Sequence, residues 1–364
     1  MGKITRFLYK NRGDFYAQLL TESIPHATMK VIKKTNQKGG FYMIKYNDPL
    51  ALGRADPYVY KHTDGNYYFT ATYPAYDRIC IRKASTINGI TDAEEKVIWH
   101  KHEEGVMASH VWAPEIHYID GKWYIYFAAG ESKKIWEIRP YVLVCTGQDP
   151  MNDAWEEMGP MLAHRHPSKR HKNGYDDYSF TEFSLDATTF EHKGRRYMIW
   201  AEKVHRRFGI SNLYIAEMEA PNKLKTVQVL LCTPDYDWER IDFWVCEGPA
   251  VLKHDGKIFV TYSASATGQM YCMGMLTADE DSDLLDPLSW TKKRYPVLKT
   301  DPEKKVFGPG HNCFTTGDEG EVLCILHYRD YSDKYISGDP LNNPDRHAHV
   351  LRVEFENGEP VFKL

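Results

Sequence analysis

A faint motif recurs five times along the chain and constrains the fold more than any other feature. In each copy a short β-rich run leads to a glycine turn and then to an aromatic, β-branched strand, a pattern that predicts a β-hairpin. The five copies span residues 56–73, 113–130, 185–202, 247–265 and 310–328. Repeats of this size, separated by loops of unequal length, predict an all-β fold: a five-bladed β-propeller in which each hairpin belongs to a four-stranded blade.

Three acidic residues stand near the start of three of these motifs. The first strand of every propeller blade lines the central axis, so we expect Asp56, Asp186 and Glu247 to converge from distant parts of the chain. All three are predicted to occupy equivalent positions of the repeat among apolar and aromatic neighbours, which argues against unrelated surface carboxylates. Hydrolysis of a glycosidic bond needs a carboxylic acid that protonates the leaving oxygen and a carboxylate that acts on water or on carbon.

The surroundings of the three acids suggest how they divide this work. Glu247 follows the apolar run 243–246 and precedes Gly248, a frame that keeps a carboxyl group protonated near neutral pH. Asp56 precedes a tyrosine-rich strand and is the better candidate for a permanently ionised base. Asp186 would then hold Glu247 in place and raise its pKa through charge repulsion.

Composition narrows the class of partner and the expected location. The net charge of −4 comes with no basic stripe, so we expect a neutral partner and no nucleic acid. The first residues lack the apolar core of a signal peptide and no run approaches 18 apolar residues, which predicts neither a cleaved signal nor a membrane span. The seven cysteines are odd in number and lie mostly in strand-like runs, which favours a cytoplasmic protein with reduced thiols and leaves export by another route open.

The blade pattern sets the expected domain boundaries. Residues 1–45 carry no such pattern and are predicted to form an N-terminal extension, whereas residues 46–364 form a single catalytic propeller domain. The longest irregular insertion, residues 164–178, precedes the Asp186 strand, so we expect it to border the mouth of the site. The segment 350–364 contains an Asn-Gly turn and is expected to close the ring or to cap one of its faces.

Six segments carry a resemblance to a known family: RADPYVYKHTDGNYYFTA, HVWAPEIHYIDGKWYIYFAAG, FSLDATTFEHKGRRYMIWA, CEGPAVL, FGPGHN and GDPLNNPDRHAHV. Together they resemble glycoside hydrolase family 43, and most closely its exo-acting α-L-arabinofuranosidases. The likeness covers roughly residues 48–362. It implies a five-bladed propeller and an inverting mechanism, with Asp56 as general base, Glu247 as general acid and Asp186 as the residue that tunes the pKa and orients the acid.

The resemblance also suggests binding residues. Trp112 corresponds to an aromatic residue close to the sugar, with a core tryptophan as the alternative, and Arg329 resembles an arginine directed at the sugar, with a surface ion pair as the alternative. His311 corresponds to a central histidine near the axis, where a calcium or sodium ion, or only water, is found. A buried histidine held by hydrogen bonds is the other interpretation. The chemistry itself requires no cofactor.

The leading hypothesis is therefore an exo-acting α-L-arabinofuranosidase that releases terminal arabinose from arabino-oligosaccharides derived from arabinan or arabinoxylan. A β-D-xylosidase is the alternative within the enzyme class, because the same blades and acids serve both substrates in the family. A propeller that binds sugars without cleaving them is disfavoured, since none of the three acids is replaced. The sequence makes no prediction of the oligomeric state.

Overall fold

The computed structural model describes residues 44–164, 180–181, 183–204 and 209–364. Within these ranges, five antiparallel sheets follow one another along the chain. Almost all of the predicted extension over residues 1–45 and of the insertion at 164–178 lies outside the described residues, so both remain predictions. In the described part of the chain, no helix is long and apolar enough to span a membrane.

Each sheet is one blade, and its strands are numbered from the axis outward. Blade one consists of β1 (Ala55–Lys61), β2 (Tyr67–Thr72), β3 (Arg78–Ala84) and β4 (Glu95–His100). Blade two consists of β5 (Ser109–Ile119), β6 (Lys122–Gly130), β7 (Arg139–Cys145) and β8 (Trp155–Pro160). Blade three consists of β9 (Ser184–His192), β10 (Arg195–Lys203), β11 (Ser211–Ala220), and two short strands that both pair with β11, β12 (Lys223–Leu224) and β13 (Val229–Cys232).

The last two blades follow the same order. Blade four consists of β14 (Cys246–His254), β15 (Lys257–Ala264), β16 (Cys272–Asp279) and β17 (Thr291–Lys292). Blade five consists of β18 (Phe307–Thr316), β19 (Val322–Arg329), β20 (His347–Glu356) and β21 (Glu359–Phe362). Short 3-10 turns occupy the connections at Asn88–Ile90, Asp237–Glu239, Pro287–Ser289, Asp333–Tyr335 and Pro340–Asn342.

The inner strands β1, β5, β9, β14 and β18 contact one another in cyclic order, which confirms the five-bladed propeller. The segment before β1 fastens the first blade to the last: the Leu50 N–H donates to the Ala348 carbonyl at 2.7 Å, and the Ala348 N–H donates to the Ala51 carbonyl at 2.9 Å. The C-terminal segment forms the outer strands of blade five. Its Asn357-Gly358 turn has φ of 53° and 77°, as the predicted hairpin requires.

The second strand of each blade is largely buried on both faces because neighbouring blades cover it from either side. All six residues of β2 are buried, and β6 is buried from Trp123 to Gly130. Burial of each large side chain contributes about 1.5–3 kcal/mol, so the core between blades stabilises the ring that gathers the inner strands. The outer strands β4 and β8 are partly exposed, in keeping with their place at the rim.

The five predicted turn glycines link the first and second strands of their blades. Their φ angles all lie between 72° and 86°, the left-handed region that glycine adopts without steric cost. These turns are at Gly65, Gly121, Gly194, Gly256 and Gly320.

Candidate active site

A cavity of about 430 Å³ opens where the inner strands begin, and Asp56, Asp186 and Glu247 all contribute to its wall. The structure therefore brings the three predicted acids into one shared hollow. Asp56 and Asp186 are buried, whereas Glu247 is partly exposed. Other side chains complete the wall, among them Trp112, Trp136, Phe183, Lys203, Phe243, Tyr271, His311, Leu341 and Arg346.

A β-bulge interrupts every inner strand at the depth of this cavity. At this depth a residue of each strand takes a left-handed backbone conformation with φ between 43° and 55°, and the pairing with the second strand shifts at or beside it. These five bulge residues are Asp56, Ala113, Asp186, Gly248 and His311. In β5 a second residue, His110, is also left-handed, with φ of 48°.

The bulges correct one detail of the sequence interpretation. Asp56 and Asp186 occupy the equivalent bulge position, but Glu247 precedes its bulge residue, Gly248, and so corresponds to Trp112 of blade two. The three acids are therefore not strictly equivalent in the repeat. A bulge redirects the side chains around it, which allows residues of two neighbouring positions to line one cavity.

The backbone N–H groups of the bulges are bonded to side chains of the preceding blade. Four such bonds are present, with lengths of 2.7–3.0 Å: Asp56 N–H to His327 Nδ1, Ala113 N–H to Thr72 Oγ1, Gly248 N–H to Asp186 Oδ2, and His311 N–H to Ser263 Oγ. Each bond satisfies a buried donor and joins neighbouring blades at the site.

Asp56 is buried against positive charge. Burial by itself raises the pKa of its carboxyl group, but His311 and Arg346 outweigh that effect and lower the pKa to about 2. His311 Nδ1 lies 3.2 Å and Arg346 Nη1 lies 3.6 Å from Asp56 Oδ1. The Thr72 hydroxyl donates to Asp56 Oδ2 at 2.6 Å. Asp56 is thus ionised and held at both oxygens.

Asp186 and Glu247 have the opposite environment. Burial raises the pKa of Asp186 to about 7, and the negative charges of Glu247 and Asp56 act in the same direction. Burial also raises the pKa of Glu247 to about 7, with a contribution from Asp56, although the Tyr271 hydroxyl opposes the shift by donating to Glu247 Oε1 at 2.8 Å. Because the two groups repel each other, their protons are lost in coupled steps.

His311 lies between two of the acids. Its Nδ1 is 3.2 Å from Asp56 Oδ1 and 3.9 Å from Asp186 Oδ2, so this nitrogen faces the carboxylates. Among the described residues, the ligand atoms of His311, Asp56 and Asp186 do not all lie close enough to one another to form a metal-binding group. The axial calcium or sodium ion stays a prediction, and no step of the chemistry below passes through it.

Among the described residues, metal-type ligand atoms come close together in a different place. Cys232, Glu239 and Cys246 form a buried group behind the cavity wall. The Lys292 ammonium lies 2.7 Å from the Glu239 carboxylate, and the Tyr262 hydroxyl donates to it at 2.8 Å. A carboxylate already paired with an ammonium ion does not suit a metal ion, so this group is a buried ion pair beside two thiols.

Trp112 lines the cavity within a cluster of aromatic rings. Its ring centroid lies 4.5 Å from that of His110, 5.5 Å from that of Tyr76 and 6.1 Å from that of Trp136. Trp136 also lines the cavity and is 52% exposed. Together the two tryptophans provide an apolar wall of the kind that packs against the face of a sugar ring.

Arg329 does not line the cavity. Its guanidinium donates to Asn343 Oδ1 at 2.9 Å, to the Pro340 carbonyl at 2.6 Å and to the Thr267 carbonyl at 3.3 Å. Arg329 therefore lies outside the cavity and holds in place the 340–343 segment, which contributes Leu341 to the cavity wall. The arginine that contacts an acid of the cavity is Arg346, which lies just before β20, contrary to the expectation from sequence.

Sequence reasoning missed several cavity residues, among them Arg346, Lys203 and Tyr271. Arg346 lies within the GDPLNNPDRHAHV segment, whose only sequence signal is its resemblance to the family. Lys203 directly follows the third hairpin motif. Tyr271 stands in a loop with no pattern around it. Lys203 comes from the end of a second strand, and Arg346 and Tyr271 come from loops just before a third strand. The repeat predicts only what the first strand of each blade brings to the axis.

Comparison with known proteins identifies several arabinofuranosidases that are similar to this chain. The chain is 46% identical over 296 residues to the extracellular exo-α-(1→5)-L-arabinofuranosidase of Streptomyces chartreusis, covering 81% of this chain and 85% of the relative. It is 44% identical over 323 residues to the enzyme of the same name from Streptomyces avermitilis, covering 88% of this chain but only 64% of that relative, less than two thirds of its length. The crystal structure of an α-L-arabinofuranosidase from Lactobacillus brevis matches with 48% identity and a TM-score of 0.79, over 87% of this chain and 96% of that one.

These relatives overturn the predicted location. Both Streptomyces proteins are named extracellular, so the prediction of a cytoplasmic protein is wrong. The number of cysteines was a poor guide to the location for a physical reason. All seven are free and buried, and a thiol that is shielded by the core is protected from oxidants in either compartment. Their number therefore carries no information about the redox state of the surroundings.

The family assignment comes from the whole domain rather than from one relative. The model of glycosyl hydrolases family 43 matches residues 46–360, a range that begins before β1 and ends within β21. This range contains all five blades and every acid of the cavity. On this match and the relatives above, the chain belongs to glycosyl hydrolase family 43.

Proposed function

We propose that this protein is an inverting exo-α-L-arabinofuranosidase that releases terminal arabinofuranose from arabino-oligosaccharides. The observation that carries the proposal is the opposite electrostatic state of carboxyl groups in one cavity: the pKa of Asp56 is lowered to about 2, and that of Glu247 is raised to about 7. A glycosidase needs one ionised and one protonated carboxyl group at the same pH.

Asp56 is the proposed general base. Its carboxylate is ionised throughout the neutral range, and Thr72, His311 and Arg346 hold it in one orientation. It accepts a proton from a water molecule while the oxygen of that water bonds to the anomeric carbon. The contacts to His311 and Arg346 lower the basicity of the Asp56 carboxylate, but they also fix its orientation and keep it unprotonated.

Glu247 is the proposed general acid. It donates its proton to the glycosidic oxygen as the bond from that oxygen to the anomeric carbon breaks, so the leaving sugar departs as a neutral alcohol. Attack and departure occur on opposite faces of the ring, which inverts the anomeric centre in one step. Product release leaves Asp56 protonated and Glu247 ionised, and exchange with water restores both.

Asp186 is the proposed positioning residue. Its Oδ2 accepts the N–H of Gly248, the residue after Glu247, and so fixes the backbone on which the acid stands. Its negative charge, when present, also favours the protonated form of Glu247. Both effects act on the acid without any contact between Asp186 and the bond that breaks.

Two observations support arabinose over xylose and an exo over an endo mode of action. The Streptomyces and Lactobacillus relatives at 44–48% identity are all named arabinofuranosidases. The site is a hollow of about 430 Å³ that is bounded by Trp112, Trp136 and Leu341, a shape that suits the end of a sugar chain. β-D-Xylosidase activity is the second candidate because the carboxyl groups would serve it equally well.

One assay tests the proposal. The protein is given 4-nitrophenyl α-L-arabinofuranoside and 4-nitrophenyl β-D-xyloside side by side, and the first-formed product anomer is followed by NMR. We expect faster release of arabinose, with β-L-arabinofuranose formed first. Faster release of xylose would show that the enzyme acts on β-D-xylosides rather than on α-L-arabinofuranosides. Initial formation of the α-anomer would exclude the inverting mechanism.

A further inference from the structure

Lys203 lies in the cavity wall, and the proposed chemistry gives it no role. It is the last residue of β10 and pairs with Ser211, the first residue of β11, which in turn bridges to Val245. Since residues directly opposite each other across strands share a face, the row Lys203, Ser211 and Val245 crosses from blade three to blade four. All three residues line the cavity, and the row ends two positions before Glu247.

The ammonium group of Lys203 stands over an aromatic ring. Its Nζ lies 3.8 Å from the centroid of the Phe183 ring. The backbone N–H of Lys203 also donates to the backbone carbonyl of Phe183, at 2.9 Å. No ion pair between Lys203 and a carboxylate is present among the described residues. Burial lowers the pKa of Lys203, and the charge of Glu247 counteracts this shift. The ammonium is therefore a cavity cation whose donors are available to a ligand.

The position of Lys203 relative to the two proposed reacting groups is informative. His311 and Arg346 lie beside Asp56, the proposed base, at 3.2 and 3.6 Å from its Oδ1. Lys203 instead begins the cross-strand row that ends at Val245, two positions before Glu247, the group that meets the leaving oxygen. A ligand group beside Lys203 thus belongs to the leaving part of the substrate. Phe243, which is 61% exposed and lies four residues before Glu247, borders the same side of the cavity.

We propose that Lys203, Phe183 and Phe243 form the subsite for the leaving-group sugar, in which the Lys203 ammonium donates hydrogen bonds to sugar hydroxyl oxygens. This inference rests on the proposed function. Lysine offers three donors and no acceptor, which matches the hydroxyl oxygens of a neutral sugar, and the phenylalanine rings match its C–H face. The ligand is the next arabinose unit of the chain, and Lys203 determines specificity for it.

The test compares two substrates with the same arabinofuranosyl group. α-1,5-Arabinobiose has a leaving group with hydroxyls, whereas benzyl α-L-arabinofuranoside has an aromatic leaving group without them. Both leaving alcohols are unactivated and need protonation by Glu247, so a change in the acid affects them equally. For Lys203→Met we expect kcat/KM to fall about 10- to 100-fold on arabinobiose, as for loss of a hydrogen bond to a charged group, and about threefold or less on the benzyl substrate.

Two further variants complete the experiment. Lys203→Arg keeps a cation and its donors and is expected to recover most of the activity on arabinobiose. Lys225→Met removes a lysine that pairs with Glu217 outside this cavity and is expected to match the wild type on both substrates. Equal losses of Lys203→Met on both substrates, or no loss on either, would overturn the subsite. A wild-type protein that releases no arabinose would overturn the proposed function, and the subsite with it, before any variant is measured.

Discussion

Gly248 is the glycine on which the geometry of the site depends most directly. It follows Glu247, has φ of 54° and donates its N–H to Asp186. A Cβ at this position would lie 3.1 Å from Cγ and Nδ1 of His311, tighter than ordinary contacts. Left-handed φ alone does not forbid alanine, because Ala113 occupies the equivalent bulge of blade two with φ of 45°. The contact with His311 therefore decides the outcome of Gly248→Ala.

The effect of Gly248→Ala can be divided into a backbone part and a site part. The left-handed conformation costs an alanine about 1–2 kcal/mol, which lowers the free energy of unfolding by that amount. Relief of the contact moves His311, whose Nδ1 lies 3.2 Å from Asp56 Oδ1 and 3.9 Å from Asp186 Oδ2. Because small displacements at a reacting centre cost about 100-fold in rate, we expect kcat on arabinobiose to fall about 100-fold.

Gly256→Ala is the matched control. Gly256 has φ of 74° in the turn between β14 and β15 of the same blade, and a Cβ there would meet no atom within 4 Å. It shares the backbone cost and lacks the contact with the site. Urea unfolding should show similar losses of stability for both variants, while only Gly248→Ala loses kcat. The reasoning is refuted if Gly248→Ala keeps kcat within about threefold of the wild type, or if Gly256→Ala loses as much.

Three further predictions address the proposed roles of the acids. Glu247→Gln should lower kcat/KM about 100-fold or more on arabinobiose but far less on 4-nitrophenyl α-L-arabinofuranoside, whose leaving group needs little protonation; equal losses on both would argue against the acid role. Asp56→Asn should lower kcat at least about 1000-fold on both substrates, and a near-normal rate would remove Asp56 as base. The wild-type kcat/KM on arabinobiose should fall above about pH 7, where Glu247 loses its proton, and should show no matching loss between about pH 4 and 6, because the pKa of Asp56 is about 2. A rate that rises with pH through 7 would contradict this assignment.

The repeat predicted what the inner strands bring together, because strand alternation and the order of the blades follow from the sequence. Asp56, Asp186 and Glu247 meet in one cavity for this reason. The bulge that shifts Glu247 by one position left no signal that could be read from the sequence alone. The sequence pointed to Arg329 alone, and only packing determines that Arg329 binds backbone carbonyls while Arg346 faces Asp56.

A chain of contacts that runs through the cavity wall joins the proposed base and acid. The Asp56 N–H donates to His327 Nδ1, so that nitrogen is an acceptor, and burial lowers the pKa of His327 well below its usual value, which keeps the ring neutral. The His327 ring stacks on Tyr271 with centroids 5.8 Å apart, and the Tyr271 hydroxyl donates to Glu247. His327 belongs to blade five and Asp56 to blade one, so this chain spans the point where the ring closes. Closure of the propeller therefore brings the groups that support the two carboxyl groups into contact, and a variant that loosens this junction should show a lower kcat on arabinobiose even though His327 is not part of the cavity wall.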